Sequence, residues 1–195
     1  MKKIFSTIVL VILLGTLLSG CGAIKGIRNI FHFGERDELY FGVTAKQWFD
    51  FVDEKAKLWK PDASFFGISE STVQMDGSSD KWNYLYYSPG SEKTAALQYD
   101  SGFVQLKETV LHKLNPVRDF VIDSPTALNK ANTEAAKEFL AKNPQVNIIM
   151  ALIGPDYESS YKNPSRWMIK YYGSSGQLLV IINATTGDIM QVITK

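Results

Sequence analysis

Between Thr44 and Trp59 apolar residues recur at helical spacing. Ala45, Trp48, Phe49, Val52, Ala56 and Trp59 fall on one face, and Lys46, Asp50, Asp53, Glu54 and Lys57 lie largely opposite. The spacing predicts an amphipathic helix, with Pro61 helping to stop it. Beyond it the period changes. "ASFFGISESTVQM" is β-rich, "DGSSDK" has turn chemistry, "WNYLYYS" reads as a strand and "PGSEK" as another turn; Gly102 then separates "TAALQYD" from "FVQLKETV". The expected order is one helix followed by about four antiparallel strands.

The same order returns after "LHKLNPVRDFVID". Ser124 is a natural N-cap with Pro125 at the first helical position, and Ala127, Leu128, Ala131, Ala135, Phe139 and Leu140 form the apolar face of one second helix. Strands "VNIIMALIG", "WMIKYY", "QLLVIINA" and "DIMQVIT" follow, the first two joined by the long polar loop "PDYESSYKNPSR". Trp82, Tyr86, Tyr87 and Gly102 recur 85 residues later as Trp167, Tyr171, Tyr172 and Gly187 without a gap. The expected fold class is α+β: two duplicated units, each one helix packed on a roughly four-stranded antiparallel sheet, at 44–110 and 124–195, joined by a linker at 111–123. A unit of this size has little core of its own, so the two are expected to pack together, through sheet edges or a shared helix-lined core.

The N-terminus adds an address. Lys2 and Lys3 precede an apolar run from Ile4 to Leu18, the charged and apolar regions of an export signal. The run is shorter than the ~20 residues needed to span a bilayer. Leu18-Ser19-Gly20-Cys21 resembles the bacterial lipobox, which implies diacylglycerol on Cys21 and cleavage before it. Residues 1–20 are therefore expected to be a signal peptide and 21–43 an anchor and membrane-proximal segment, with the protein lipid-anchored in the cell or outer membrane and facing periplasm or exterior. Within that segment Ile24, Ile27 and Phe31 suit a short helix along the membrane surface or packing on the domain behind it. Cys21 is the single cysteine, which excludes an internal disulfide and a cysteine-based metal site.

Composition narrows the partners. A chain of 195 residues, 45% hydrophobic and 12% aromatic, can build a real core. Without Lys2 and Lys3, 19 of the 21 basic residues remain against 20 acidic ones. That balance argues against nucleic acid as a partner, since nucleic-acid binding rests on a basic excess.

Residues 124–192 resemble the PepSY domain, a small secreted or membrane-linked module of one helix on a short antiparallel sheet. The likeness is carried by the helix near 127–140, by "WMIKYY" and above all by "LLVIINATTGDIMQV"; a weaker copy covers 44–110. Asn183 stands where that family often has Asp, and the loop "PDYESSYKNPSR" is long for a minimal unit. The resemblance implies a non-catalytic envelope module that inhibits peptidases or binds protein or peptidoglycan partners, with no catalytic residues to carry over.

Candidate chemistry is sparse. His32 and His112 are the two histidines, and no Gly-x-Ser-x-Gly or HExxH stretch occurs, so neither a serine hydrolase nor a zinc site is expected. Asp76, Ser78 and Asp80 have the spacing that starts a calcium loop, yet position 87 is Tyr87 rather than an acidic ligand, and an Asp-Gly turn explains the same residues. Glu70, Asp76 and Asp80 carry no spacing that would set an acid–base pair. No enzyme activity, cofactor or metal is expected.

The aromatic residues give the remaining candidates. Trp82, Tyr84 and Tyr86 alternate on one strand face, as do Trp167, Ile169 and Tyr171, and these are expected beneath the helix. Tyr87 and Tyr172 point to the other face, where they are expected to line a surface that grips a peptide or glycan. The loop from Pro155 to Arg166, present once, brings Tyr157, Tyr161 and Arg166 as further partner-binding candidates. The expected function is a membrane-anchored, non-catalytic binding or peptidase-inhibitory module with a protein or peptide partner in the envelope. The alternative is a structural subunit or assembly factor of an envelope complex, and a hydrolase ranks last.

Overall fold

A computed structural model describes residues 42–100, 103–109, 115–155 and 164–195. Residues 1–20, expected as a signal peptide, and Cys21, His32, Gly102, His112, Tyr157 and Tyr161 lie outside the described residues. The elements are α1 Phe49–Trp59, β1 Ser64–Val73, β2 Lys81–Ser88, β3 Lys93–Asp100, β4 Phe103–Thr109, α2 Ser124–Lys130, α3 Glu134–Lys142, β5 Asn147–Ile153, β6 Arg166–Gly173, β7 Gly176–Asn183 and β8 Ile189–Thr194.

Eight strands form one antiparallel sheet in the order β4-β3-β2-β1-β5-β6-β7-β8. This corrects the expectation of two duplicated units, each with its own four-stranded sheet. The class is α+β, but β1 and β5 pair directly from Gly67↔Ile153 to Val73↔Ile148, and all three described helices contribute to one core. The physical reason lies in the strands that meet. Ile148, Met150 and Leu152 on β5 and Ile68 on β1 are all 2% exposed or less, and unpairing them would strand apolar side chains and backbone groups together. Gly67 permits the close approach, since a Cβ there would sit 2.6 Å from the Leu152 carbonyl oxygen.

The helices differ from the periodic reading in two places. The pattern beginning at Ala45 becomes turns before α1 starts at Phe49. There the N–H groups of Ala45 and Lys46 donate to Ser124 Oγ at 3.0 Å and Asp123 Oδ1 at 2.9 Å, so the start of α2 caps the approach to α1. The second helix, expected as one, is α2 and α3. Thr133 breaks it by accepting from the Ala136 N–H at 3.1 Å, a new N-cap ahead of Glu134.

The core lies on the helix side of the sheet. Trp82 and Trp167 are fully buried and meet edge to face, with ring centroids 6.4 Å apart and an interplanar angle of 70°. Each indole N–H donates at 2.8 Å to a chain segment crossing above it, Trp82 to the Val43 carbonyl and Trp167 to the Ile122 carbonyl. Phe120 packs on Trp167 at 6.0 Å and on Phe49 at 5.4 Å, while the Val117 N–H donates to Phe65 O. The segment leading into α2 is thus built into the core.

Candidate functional site

Tyr87, Tyr172 and Arg166, the candidates among the described residues, share the sheet face that no described helix covers. Cross-strand register places Leu85, Gly67, Ile153, Arg166 and Asn183 in one row across five strands of that face. Tyr87 stands two residues beyond Leu85 on β2, and Tyr172 six residues beyond Arg166 on β6, in the opposite direction. Eight residues of strand rise and three strand spacings separate the two tyrosines by about 30 Å. They share a face but do not close on one small ligand.

Each has its own surroundings. Tyr87 is half-buried, and Phe66 meets its ring edge to face at 5.6 Å. Phe66 was not among the sequence candidates. It sits at the register shift between Phe65 and Gly67, which turns it outward; the adjacent pair Phe65-Phe66 followed by Gly67 is the signal that marks it. Tyr172 is half-buried under Lys170, whose Nζ lies 4.2 Å from the ring centroid. Arg166 is 9% exposed at the start of β6. Around these lie Ile149, Ile153, Ile181 and Ile193, all partly buried.

On the helix side the tyrosines serve the core. Tyr84 donates its hydroxyl to the Ala45 carbonyl at 3.0 Å, and burial raises its pKa well above the ordinary phenol value. Burial raises Tyr86 as well, with the Asp53 carboxylate adding to the effect, and pushes Tyr171 up to about 12. All three stay protonated at neutral pH.

The carboxylates are held in turns. Asp76 accepts from the Ser78 N–H at 2.9 Å and the Ser78 hydroxyl at 2.6 Å, closing the Asp-Gly turn in which Gly77 has φ +83°. Glu70, 2% exposed, accepts from the N–H groups of Ser71 and Thr72, from both their hydroxyls and from Asn83 Nδ2, and so closes an irregularity in β1. Asp62 ties the approach to β1 to the β2–β3 turn through the Ser88 hydroxyl at 2.6 Å and the Gly90 N–H. Among the described residues no group of three or more His, Cys, Asp or Glu is arranged to hold a metal.

These bonds are expected to make the domain acid-sensitive. Hydrogen bonds from Ser88 and Gly90 lower the pKa of Asp62, those from Ser78 lower Asp76, and those from Lys93 and Trp59 lower Glu108. Each folded pKa lies below the unfolded value, ordinarily 3.8 for Asp and 4.5 for Glu. Their stabilisation is therefore present above those values and is lost as pH falls through the lowered ones. Urea midpoints should hold down to about pH 5 and fall steadily below it; Asp62→Asn should flatten that slope, and an unchanged slope would remove Asp62 from the account.

No family model matches the chain, so the PepSY resemblance rests on the residues that suggested it. No curated protein matches it. Among solved structures the fold is similar to that of a candidate lipoprotein from Clostridium difficile 630, with TM-score 0.52 at 15% identity over 81% of this chain and 97% of that one.

Proposed function

We propose that this chain is a lipoprotein of the bacterial cell envelope, anchored through Cys21, whose sheet domain is a non-catalytic module that binds a protein or peptide partner. One observation carries the address: Lys2-Lys3, the apolar run to Leu18 and the Leu18-Ser19-Gly20-Cys21 motif occur in the order an exported, acylated precursor requires. The fold likeness to a candidate lipoprotein supports it. Among the described residues no helix is long and apolar enough to cross a membrane, so the lipid is the anchor this reading depends on.

The non-catalytic part is supported by Asp62, Asp76 and Glu70, whose carboxylates accept hydrogen bonds in turns and in the β1 irregularity. The binding part is supported by Tyr87 and Tyr172, two half-buried aromatics on the face that no described helix covers. The PepSY resemblance supplies peptidase inhibition as the form such binding takes. Assembly of an envelope complex is a second reading, favoured by the uncharged edge strand β8.

Cys21→Ala tests the address. The variant is expected to leave the membrane fraction on high-salt washing, and the wild-type mature chain to carry diacylglycerol on Cys21 by mass spectrometry. A variant that stays membrane-bound would sink the anchor. For binding, a photo-crosslinking residue at position 87 or 172 is expected to give a protein adduct in native membranes, whereas one at Leu58 on α1, 72% exposed, is not. Equal labelling from all three positions would remove the sheet face from the proposal.

A further inference from the structure

The two outer strands of the sheet are built differently. β4 carries Lys107 and Glu108, and Glu108 is tied to Lys93 Nζ at 2.8 Å and Trp59 Nε1 at 3.2 Å, so that edge presents charge, a common guard against strand addition. β8 has neither charge nor proline from Ile189 to Thr194, and Ile189, Met190 and Val192 are 47%, 44% and 39% exposed.

The backbone of β8 shows which groups remain open. Gln177 and Lys195 exchange both N–H···O bonds at 2.9 Å, which makes them a hydrogen-bonded pair of the β7–β8 ladder. Alternation makes Leu179↔Ile193 and Ile181↔Gln191 hydrogen-bonded pairs too, and turns the N–H and C=O groups of Val192 and Thr194 away from β7, while the register shift between Ile181 and Ile182 leaves Met190 as an extra residue outside that alternation. Among the described residues no strand pairs with this side of β8.

From this edge we propose that β8 pairs antiparallel with β8 of a second copy of the chain, about a two-fold axis at Val192. Val192 then lies opposite Val192, and Thr194 opposite the irregularity at Met190. Val192 faces outward on both strands, so its N–H and C=O on each copy exchange bonds with those of the other. Charge selects the antiparallel arrangement. Asp188 precedes the strand and Lys195 follows it, so the acidic end of one edge meets the basic end of the other, whereas parallel pairing would set like against like. An extended segment of another protein would satisfy the backbone alone; the second copy matches the charges as well. This pairing stands independently of the anchor and of the binding face.

So short a ladder is small beside a standard interface of about 1,200–2,000 Å², so the association should depend on concentration. Sedimentation of the full chain in detergent is expected to show the protein mass rising toward twice the monomer value as concentration increases. Val192→Pro removes one outward N–H and no bond to β7, so it should abolish the rise while circular dichroism stays unchanged. In the Cys21→Ala background, Val192→Cys should oxidise to a disulfide-linked dimer, because Cα atoms of a hydrogen-bonded antiparallel pair lie about 5.5 Å apart, within disulfide reach. Phe103→Cys on β4 should stay monomeric. A wild-type chain that remains monomeric and fails to crosslink through Val192→Cys overturns the proposal, as does a Val192→Pro dimer indistinguishable from wild type. Should Val192→Pro not fold, the contrast between Val192→Cys and Phe103→Cys decides alone.

Discussion

Trp167→Ala is expected to lower the unfolding free energy by about 3–5 kcal/mol, the range for truncating a fully buried large aromatic. The indole is completely buried, meets Trp82 at 6.4 Å and Phe120 at 6.0 Å, and donates its N–H to the Ile122 carbonyl at 2.8 Å. Truncation leaves a cavity beneath the helices and removes the donor for that carbonyl. Trp167→Phe keeps most of the ring volume and loses the hydrogen bond, so it should cost about 1–3 kcal/mol. Urea unfolding followed by far-ultraviolet circular dichroism measures both. The form of the transition matters as much as its midpoint. Because Trp82 and Trp167 touch within one core, the variant should unfold in a single cooperative step at lower urea. A biphasic curve, with the β1–β4 half surviving the loss of the other, would show that the two halves are energetically separate despite their shared sheet.

Gly67→Ala should cost about 1–3 kcal/mol, a penalty of the kind produced by overpacking. The new Cβ would lie 2.6 Å from the Leu152 carbonyl oxygen, and that atom is backbone, so no side chain can swing aside to make room. The strain falls on the β1–β5 pairing that makes one sheet of two meanders. Amide exchange should therefore quicken first at Gly67–Ser69 and Ala151–Ile153, before the β2–β3 ladder loosens. Ser69→Ala, two residues along the same face and opposite Ala151, provides the comparison and should change stability by less than about 0.5 kcal/mol. Equal effects from the two substitutions would mean that close approach at Gly67 is not what holds the seam.

Much of the local structure was legible in the chain. All eight strands lie where alternating or β-rich runs bounded by Gly, Pro, Asp and Ser place them, and the apolar face around Val52 and Ala56 marks α1. The alternation Trp82, Tyr84, Tyr86 also separates the buried face from the one that carries Tyr87, because side-chain direction in a strand follows from position alone. Where the reading missed, a competing local interaction decided. Thr133 could cap a helix as well as continue one, and it caps α3. The Ala45 turn owes its form to Ser124 and Asp123, which lie 79 and 77 residues from their partners, beyond the reach of any periodicity window.

The candidate surface shows the same division. Tyr87 and Tyr172 could be assigned to the outer face from sequence, and Arg166 only to a loop; that Arg166 begins β6 on the same face, and the register that sets the distances between the three, could not be read. A shift of two residues keeps a side chain on its face while moving it by about 7 Å.

By itself the sequence determined the lipobox-like N-terminus, the eight strands, the apolar face of α1 and the inward or outward sense of the aromatics on β2 and β6, since these depend on local spacing and chemistry. Only the tertiary structure decided that the two meanders share one sheet, that the segment before α2 fills the core with Phe120, and that β4 and β8 are its edges. Strand partnership depends on which edges find complementary backbone groups and which glycine lets them approach, and residues as far apart in the chain as Gly67 and Leu152 settle that only when folding brings them together.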